Sequence, residues 1–372
     1  MPQTEELALA ERLIAYDTST EEGIKLCAGF VKGWLDSRDV ESTQFGIRGL
    51  PVTAGSVGGA DGPTILLHGH LDVVPGHEDQ FEPRVEGDRL FGRGAYDMKG
   101  ALAALLLAVA DLREQSEVCV RLGVVPDEES EEPVDRGGDL LVEEGFIGDF
   151  AITGEPTDMH VGVAAKGVLA MRIEVAGRSA HGATPWLGEN AIIRALETFR
   201  AIESLPFASR SSELFDRPSI NLGRILGGDA LNKVPDTCVI DVDVRYLPEQ
   251  DPDEILEEVR GIPGAEITST FSRMPAYVDA RSVYVRALCS AAARHHAEGV
   301  TSVGRDGASD AVCFLRAGIP AVEFGPVGAG HHGPDEWVSI ESMGAYRRAI
   351  VDFVSAVPGW LAGEAASEET SL

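Results

Sequence analysis

The chain has 372 residues, a length that favours two domains over a single core, and 44% of them are apolar, as in ordinary globular proteins. Its 61 acidic residues outnumber 31 basic ones, and the net charge of −30 argues against nucleic acid or an anionic membrane surface as a partner. Only five of the bases are Lys, and so acidic a chain is expected to be adapted to high salt, where screening removes the self-repulsion.

The longest apolar stretch, 101–110, falls well short of the ~20 residues that a bilayer requires. The N-terminal MPQTEELALAERL has neither the basic start nor the apolar run of a signal peptide, so a soluble, cytoplasmic protein is expected. Cys27, Cys119, Cys238, Cys289 and Cys313 form no C-x-x-C pair and read as reduced thiols.

Apolar spacing predicts helices over 5–16 and 22–36. Thr64–Leu67 is a continuous apolar run ending at His68, which reads as a buried strand. A helix over 100–113 follows, then buried strands over 118–125 and 150–153. Strands alternating with helices imply a doubly wound, mostly parallel sheet, whose ligands sit beyond the carboxyl ends of the strands. From about Gly167 the pattern changes to a half-exposed strand over 168–175, a helix over 190–205 and strands over 219–226 and 239–246. A helix over 253–260 and a strand over 266–271 complete a βαββαβ, ferredoxin-like order. Helical texture is expected to resume at 282 and run to 354. The implied partition is a catalytic domain over 1–165 and 277–360, an inserted domain over 166–276, and a disordered acidic tail over 361–372.

Polar residues gather where the first set of strands runs out. His68, His70 and Asp72 alternate on an extended segment and so share a face. A single His there would more often be structural, but alternation with an Asp directly after an apolar strand favours a ligand, with Asp72 orienting the imidazole of His70. Asp97, in GRGAYDMKG, also suits a helix N-cap. In the acidic run after the 118–125 strand, Glu128 and Glu129 lie closest to the strand end, while Glu131 and Glu132 read as a solvated face. With Glu155 in GEPTD and His332 in HHGPDEW, the set is one that two divalent cations would choose, with a spare carboxylate as base.

HGHLDVVP, GRGAYDMKGALAA, PDEE, GEPTD, GRSAHGATP, NKVPD with DVRYLP, and HHGPDEW occur in this order over about residues 5–355. Together they resemble the di-zinc amidohydrolases related to acetylornithine deacetylase, a family that includes succinyl-diaminopimelate desuccinylase, aminoacylase and glutamate-releasing carboxypeptidases. The resemblance implies His70, Asp97 and Glu155 on one metal, and Asp97, Glu129 and His332 on the other, Asp97 bridging. It implies Glu128 as general base and Asp72 as the partner of His70. His332 is taken over His331 because it stands four residues before Glu336. His181 is similar to an oxyanion-stabilising histidine often supplied across a dimer, and Asn232 and Arg245 resemble contacts to a substrate carboxylate. His77, His160, His295 and His296 match nothing in the family pattern.

The chain departs from the desuccinylase pattern in GASDAVC, where Val312 stands in place of an Arg. An Arg there would pair a second substrate carboxylate, so a neutral acyl group or a peptide is expected rather than a succinyl group. The implied activity is hydrolysis of an amide bond in an N-acyl amino acid by a water activated between two metals, Zn2+ first and Co2+ or Mn2+ as substitutes. The alternatives are a dipeptidase or carboxypeptidase, a desuccinylase, and a binding protein that kept the fold without its chemistry. A homodimer through the inserted domain and a hinge near Lys166–Gly167 and Arg273–Pro275 are further expectations.

Overall fold

A computed structural model describes residues 4–59, 61–129 and 136–370. Glu131 and Glu132, expected on a solvated face, lie outside the described residues, as do Ser371 and Leu372.

In chain order, α1 (Glu5–Ile14) and α2 (Glu21–Asp36) lead into β1 (Glu41–Ile47), β2 (Leu50–Gly58) and β3 (Thr64–His70). Thr4 and Thr20 cap the two helices, their side chains accepting the N–H of Leu7 and Gly23. Next come β4 (Arg84–Glu86), β5 (Arg89–Phe91), α3 (Gly100–Asp111), β6 (Cys119–Val125), α4 (Gly137–Glu143), β7 (Phe150–Thr153) and β8 (Val161–Ala165). Then follow β9 (Gly167–Ala176), α5 (Ala191–Ile202), β10 (Ser219–Gly227), β11 (Thr237–Tyr246), α6 (Pro252–Arg260), β12 (Ala265–Arg273) and β13 (Ala276–Tyr277). The chain ends with α7 (Val283–Ala293), β14 (Ser302–Arg305), α8 (Ala311–Arg316), β15 (Ala321–Glu323), β16 (Gly328–Ala329), β17 (Trp337–Ser339) and α9 (Ile340–Thr370).

Two compact units result: 1–163 with 278–303 and 310–372, and 164–277 with 304–309. In the first, a sheet runs β1-β2-β6-β3-β7-β15-β8. Its centre, β6-β3-β7-β15, is parallel, and the flanking pairs are antiparallel. Ile65, Leu66, Leu67, Val120, Leu122, Val124, Phe150 and Ile152 are fully buried in these strands. Each such side chain contributes about 1.5–3 kcal/mol of hydrophobic stabilisation. Helix α3 is buried from Gly100 to Ala110, as expected of an all-apolar helix inside a core.

The second unit carries an antiparallel sheet in the order β10-β11-β9-β12, with α5 and α6 packed on one face. Strand β11 alternates, burying Cys238, Ile240, Val242, Val244 and Tyr246 under the helices. A Cβ at Gly167 would lie 2.3 Å from the Tyr246 ring, so the start of β9 requires glycine. The whole is a mixed α/β fold with a parallel central sheet and a separate βαββαβ antiparallel unit.

Two expectations fail. The stretch 282–354 is not continuously helical, because β14 to β17 are strands of two to four residues. Runs so short carry no period to read. The tail expected to be disordered from 361 is helix through Thr370. Its Ala and Glu are good helix formers, and low hydrophobicity reports on burial rather than helix propensity.

Candidate metal centre and catalytic site

Strands β3, β6 and β7 are parallel neighbours, with His70 paired to Val125 and His68 to Thr153. Their carboxyl ends therefore deliver His70 and Asp72, Glu128 and Glu129, and Glu155 to one place, the usual ligand position of such sheets. His70 Nδ1 donates to the backbone oxygen of Asp72 at 2.9 Å. A carbonyl only accepts, so Nδ1 carries the proton and Nε2 faces Asp97 Oδ1 at 3.1 Å and Glu155 Oε1 at 3.6 Å. The Asp72 carboxylate stands farther from Nδ1, at 3.6 Å. It accepts the N–H of Glu128 at 3.1 Å and of Glu129 at 2.8 Å. Asp72 thus orients the imidazole through its main chain and the glutamate pair through its side chain.

Asp97 enters from the loop before α3. Its Oδ2 pairs with His331 Nε2 and lies 3.4 Å from His332 Nε2. His332 Nε2 is also 2.8 Å from Glu129 Oε1. Sequence reasoning set His331 aside, yet the structure brings both histidines to Asp97. Two adjacent histidines were the only signal, and spacing alone does not choose between them. Ligand atoms of His70, Asp97 and Glu155 all lie within 4.8 Å of one another, as do those of Asp97, His331 and His332.

The electrostatics demand positive charge. Burial raises Glu155 well above the ordinary carboxylate range, and nearby Asp97 adds to it. Burial and Asp310 raise Glu128 in the same way. Hydrogen bonds to Asp97 and Glu129 push His332 up to about 10. Glu155 Oε1 is buried without a hydrogen-bond partner among the described residues. A buried carboxylate oxygen left so is costly unless a cation meets it. His70 with Asp97 and Glu155, and Asp97 with His331 and His332, are imidazole and carboxylate groups that fit divalent metal ions.

Sequence reasoning gave Glu336 no role beyond its spacing from His332. It is buried and accepts four N–H groups: from Gly94 at 2.9 Å, Tyr96 and Asp97 at 3.0 Å, and Arg93 Nη1 at 3.0 Å. Arg136 and Asp310 were not singled out either; their side chains form an ion pair at 2.8 Å beside Glu128.

His181, Asn232 and Arg245 belong to the second unit. Gly182 N–H donates to Asn232 O at 2.7 Å, which places His181 and Asn232 side by side. His181 is exposed, and its Nδ1 accepts the Ala183 N–H at 3.1 Å, leaving Nε2 as the protonated nitrogen of the neutral ring. It does not cap α5; the Asn190 side chain does, accepting from Ile192 and Ile193. Arg245 is half-buried on β11, its Nε donating to Asp243 Oδ2 at 2.9 Å.

A parallel sheet with buried acids and imidazoles gathered beyond its strand ends is a site suited to metal ions. Residues 66–356 match Peptidase family M20/M25/M40. The chain belongs to that family, whose enzymes use two metal ions, and it is a hydrolase of amide or peptide bonds. It is 29% identical over 330 residues to a succinyl-diaminopimelate desuccinylase of Gluconacetobacter diazotrophicus, covering 81% of this chain and 83% of the relative. It is 28% identical over 289 residues to a probable succinyl-diaminopimelate desuccinylase of Staphylococcus aureus, covering 68% of this chain and 70% of the relative. In fold it resembles a tripeptidase from Staphylococcus aureus, with a TM-score of 0.80 at 19% identity over 96% of this chain and 99% of the other. It also resembles an M20 family metallo-carboxypeptidase from Sulfolobus solfataricus, with a TM-score of 0.76 at 20% identity over 95% and 99%.

Proposed function

We propose that the protein releases an amino acid from an N-acyl amino acid by hydrolysing the amide bond next to a free carboxylate. The observation that carries this is the convergence of His70, Asp97, Glu129, Glu155 and His332 beside a carboxylate, Glu128, that is not needed as a ligand. His70, Asp97 and Glu155 would hold one ion, and Asp97, Glu129 and His332 the other, with Asp97 shared. Such ions supply Lewis-acid polarisation of the scissile carbonyl and acidify the attacking water. Zinc suits the mixed imidazole and carboxylate set, and Co2+ or Mn2+ would accept the same donors.

Glu128 accepts the proton of the water and delivers it to the leaving amine. His181 donates to the developing oxyanion from Nε2, and Asn232 and Arg245 receive the substrate carboxylate. The βαββαβ unit serves as lid, hinged near Lys166–Gly167 and Arg273–Pro275, and as the dimerisation surface. Its support is the exposed edge strand β10 and the exposed Ile193, Leu196 and Leu226. A cytoplasmic setting and adaptation to high salt fit the acidic composition. Among the described residues one helix, Ile340–Ala366, is long and apolar enough to cross a membrane, but Tyr346, Ile350, Phe353 and Val354 on it are fully buried.

A desuccinylase is the second reading, favoured by the names of the relatives. Val312, where the desuccinylase pattern has Arg, removes the partner a succinyl carboxylate would use. A panel of N-acetyl amino acids, N-succinyl amino acids and dipeptides, each with added Zn2+, Co2+ or Mn2+, tests the choice. Highest kcat/KM on an N-acetyl amino acid supports the reading; a clear preference for succinyl substrates or dipeptides overturns it.

A further inference from the structure

Glu128 is gripped at both ends of its main chain. Its N–H donates to Asp72 Oδ1 at 3.1 Å, and its carbonyl accepts from Arg136 Nη2. The same guanidinium donates through Nη1 to Asp310 Oδ1 at 2.8 Å. Both side chains of the Arg136–Asp310 pair are only 11% exposed. The planar fork of Arg136 therefore ties three segments of the first unit together: the end of β6, the entry to α4 and the entry to α8. Asp72 belongs to the same network, since it also seats His70. Among the described residues, the groups whose ligand atoms cluster are His70, Asp97 and Glu155, and Asp97, His331 and His332; Arg136 and Asp310 belong to neither.

We propose that Arg136, fixed by Asp310, is a positioning residue that sets the main chain of Glu128 so that its carboxylate reaches the attacking water. This rests on Glu128 being the general base. A guanidinium suits the task because two of its donors diverge in one plane with fixed geometry, whereas a lysine ammonium is a point charge on a flexible stem and fixes no such angle. Misplacing a reacting group by about 1 Å is enough to cost ~100-fold in rate. The arrangement predicts an effect on kcat with metal content and substrate binding left in place. A group that merely held the fold together would lower stability and activity without that separation.

The experiment compares Arg136→Met, Arg136→Lys and Asp310→Asn, each alone and combined with Glu128→Gln, in the metal-loaded enzyme. Metal stoichiometry and melting temperature report the fold. The expected result for Arg136→Met is a fall in kcat of ~10- to 100-fold with KM within about threefold and both metals retained. Arg136→Lys and Asp310→Asn should fall between it and wild type. In the Glu128→Gln background, adding Arg136→Met should change the residual rate by less than about twofold, because the group it positions is gone. Wild-type kcat in a folded Arg136→Met enzyme would overturn the proposal, as would the same fold-loss with and without Glu128. Should Arg136→Met not fold, Arg136→Lys and Asp310→Asn take its place. A loss of kcat confined to the enzyme that retains Glu128 then supports the proposal, and wild-type kcat or an equal loss in both backgrounds overturns it. Full turnover in Glu128→Gln alone would instead remove the base assignment, and this inference with it.

Discussion

Glu336 holds Asp97 from behind: its Oε1 accepts the Asp97 N–H at 3.0 Å, while Oε2 accepts from Gly94 and Arg93. The bridging carboxylate proposed for both metals is thereby fixed by its own main chain, from a residue in the loop that also carries His331 and His332. Glu336→Ala would leave the Arg93 charge and three N–H groups buried and unmet. The expected cost is about 3–5 kcal/mol of stability, with metal affinity reduced ~10- to 100-fold. Thermal unfolding with and without metal, and metal titration, check this; wild-type affinity in the variant would contradict it.

Removing the ions should itself destabilise the fold. Without them Asp97, Glu128, Glu129 and Glu155 crowd one buried space. A chelator is expected to lower the melting temperature and Zn2+ to restore it, since an ion that binds only the folded state at 1,000 times its Kd adds about 4 kcal/mol. Identical melting curves with and without chelator would speak against a folded-state metal centre.

The net charge of −30 sets a salt dependence. Screening by molar KCl shortens the range of self-repulsion to ~3 Å, so the melting temperature should rise from dilute buffer to molar KCl. A flat or falling curve would refute adaptation to high salt.

His181 is assigned a donor role at Nε2, and a dimer could deliver it across the interface. His181→Ala and Glu128→Gln subunits should each be inactive alone. Mixed under conditions that exchange subunits, they should recover part of the activity if the site is shared. A verified heterodimer that stays inactive would rule out delivery in trans.

Much of the site could be read from the chain because apolar runs such as TILL, VRLGVV and FAIT end abruptly at His68, Pro126 and Gly154. In a parallel sheet a continuous apolar run marks both the strand and the end where ligands sit. The β1–β2 hairpin escaped because β1 is half-exposed and its ESTQFGI lacks clean alternation. Strands β14 to β17 are too short to show a period. His331, Glu336, Arg136 and Asp310 act through three-dimensional contacts between segments as much as 243 residues apart, as in Arg93–Glu336, and no local pattern announces such a contact.

The division of labour within the glutamate pair is the central claim, and Glu128→Gln tests it most directly. The substitution removes a base and no ligand, whereas Glu129→Gln removes a partner of His332. Elemental analysis and kcat should show Glu128→Gln with both metals bound and turnover reduced by at least ~100-fold. Glu129→Gln should show one site weakened. Full activity in Glu128→Gln, or loss of metal from it, would contradict the assignment.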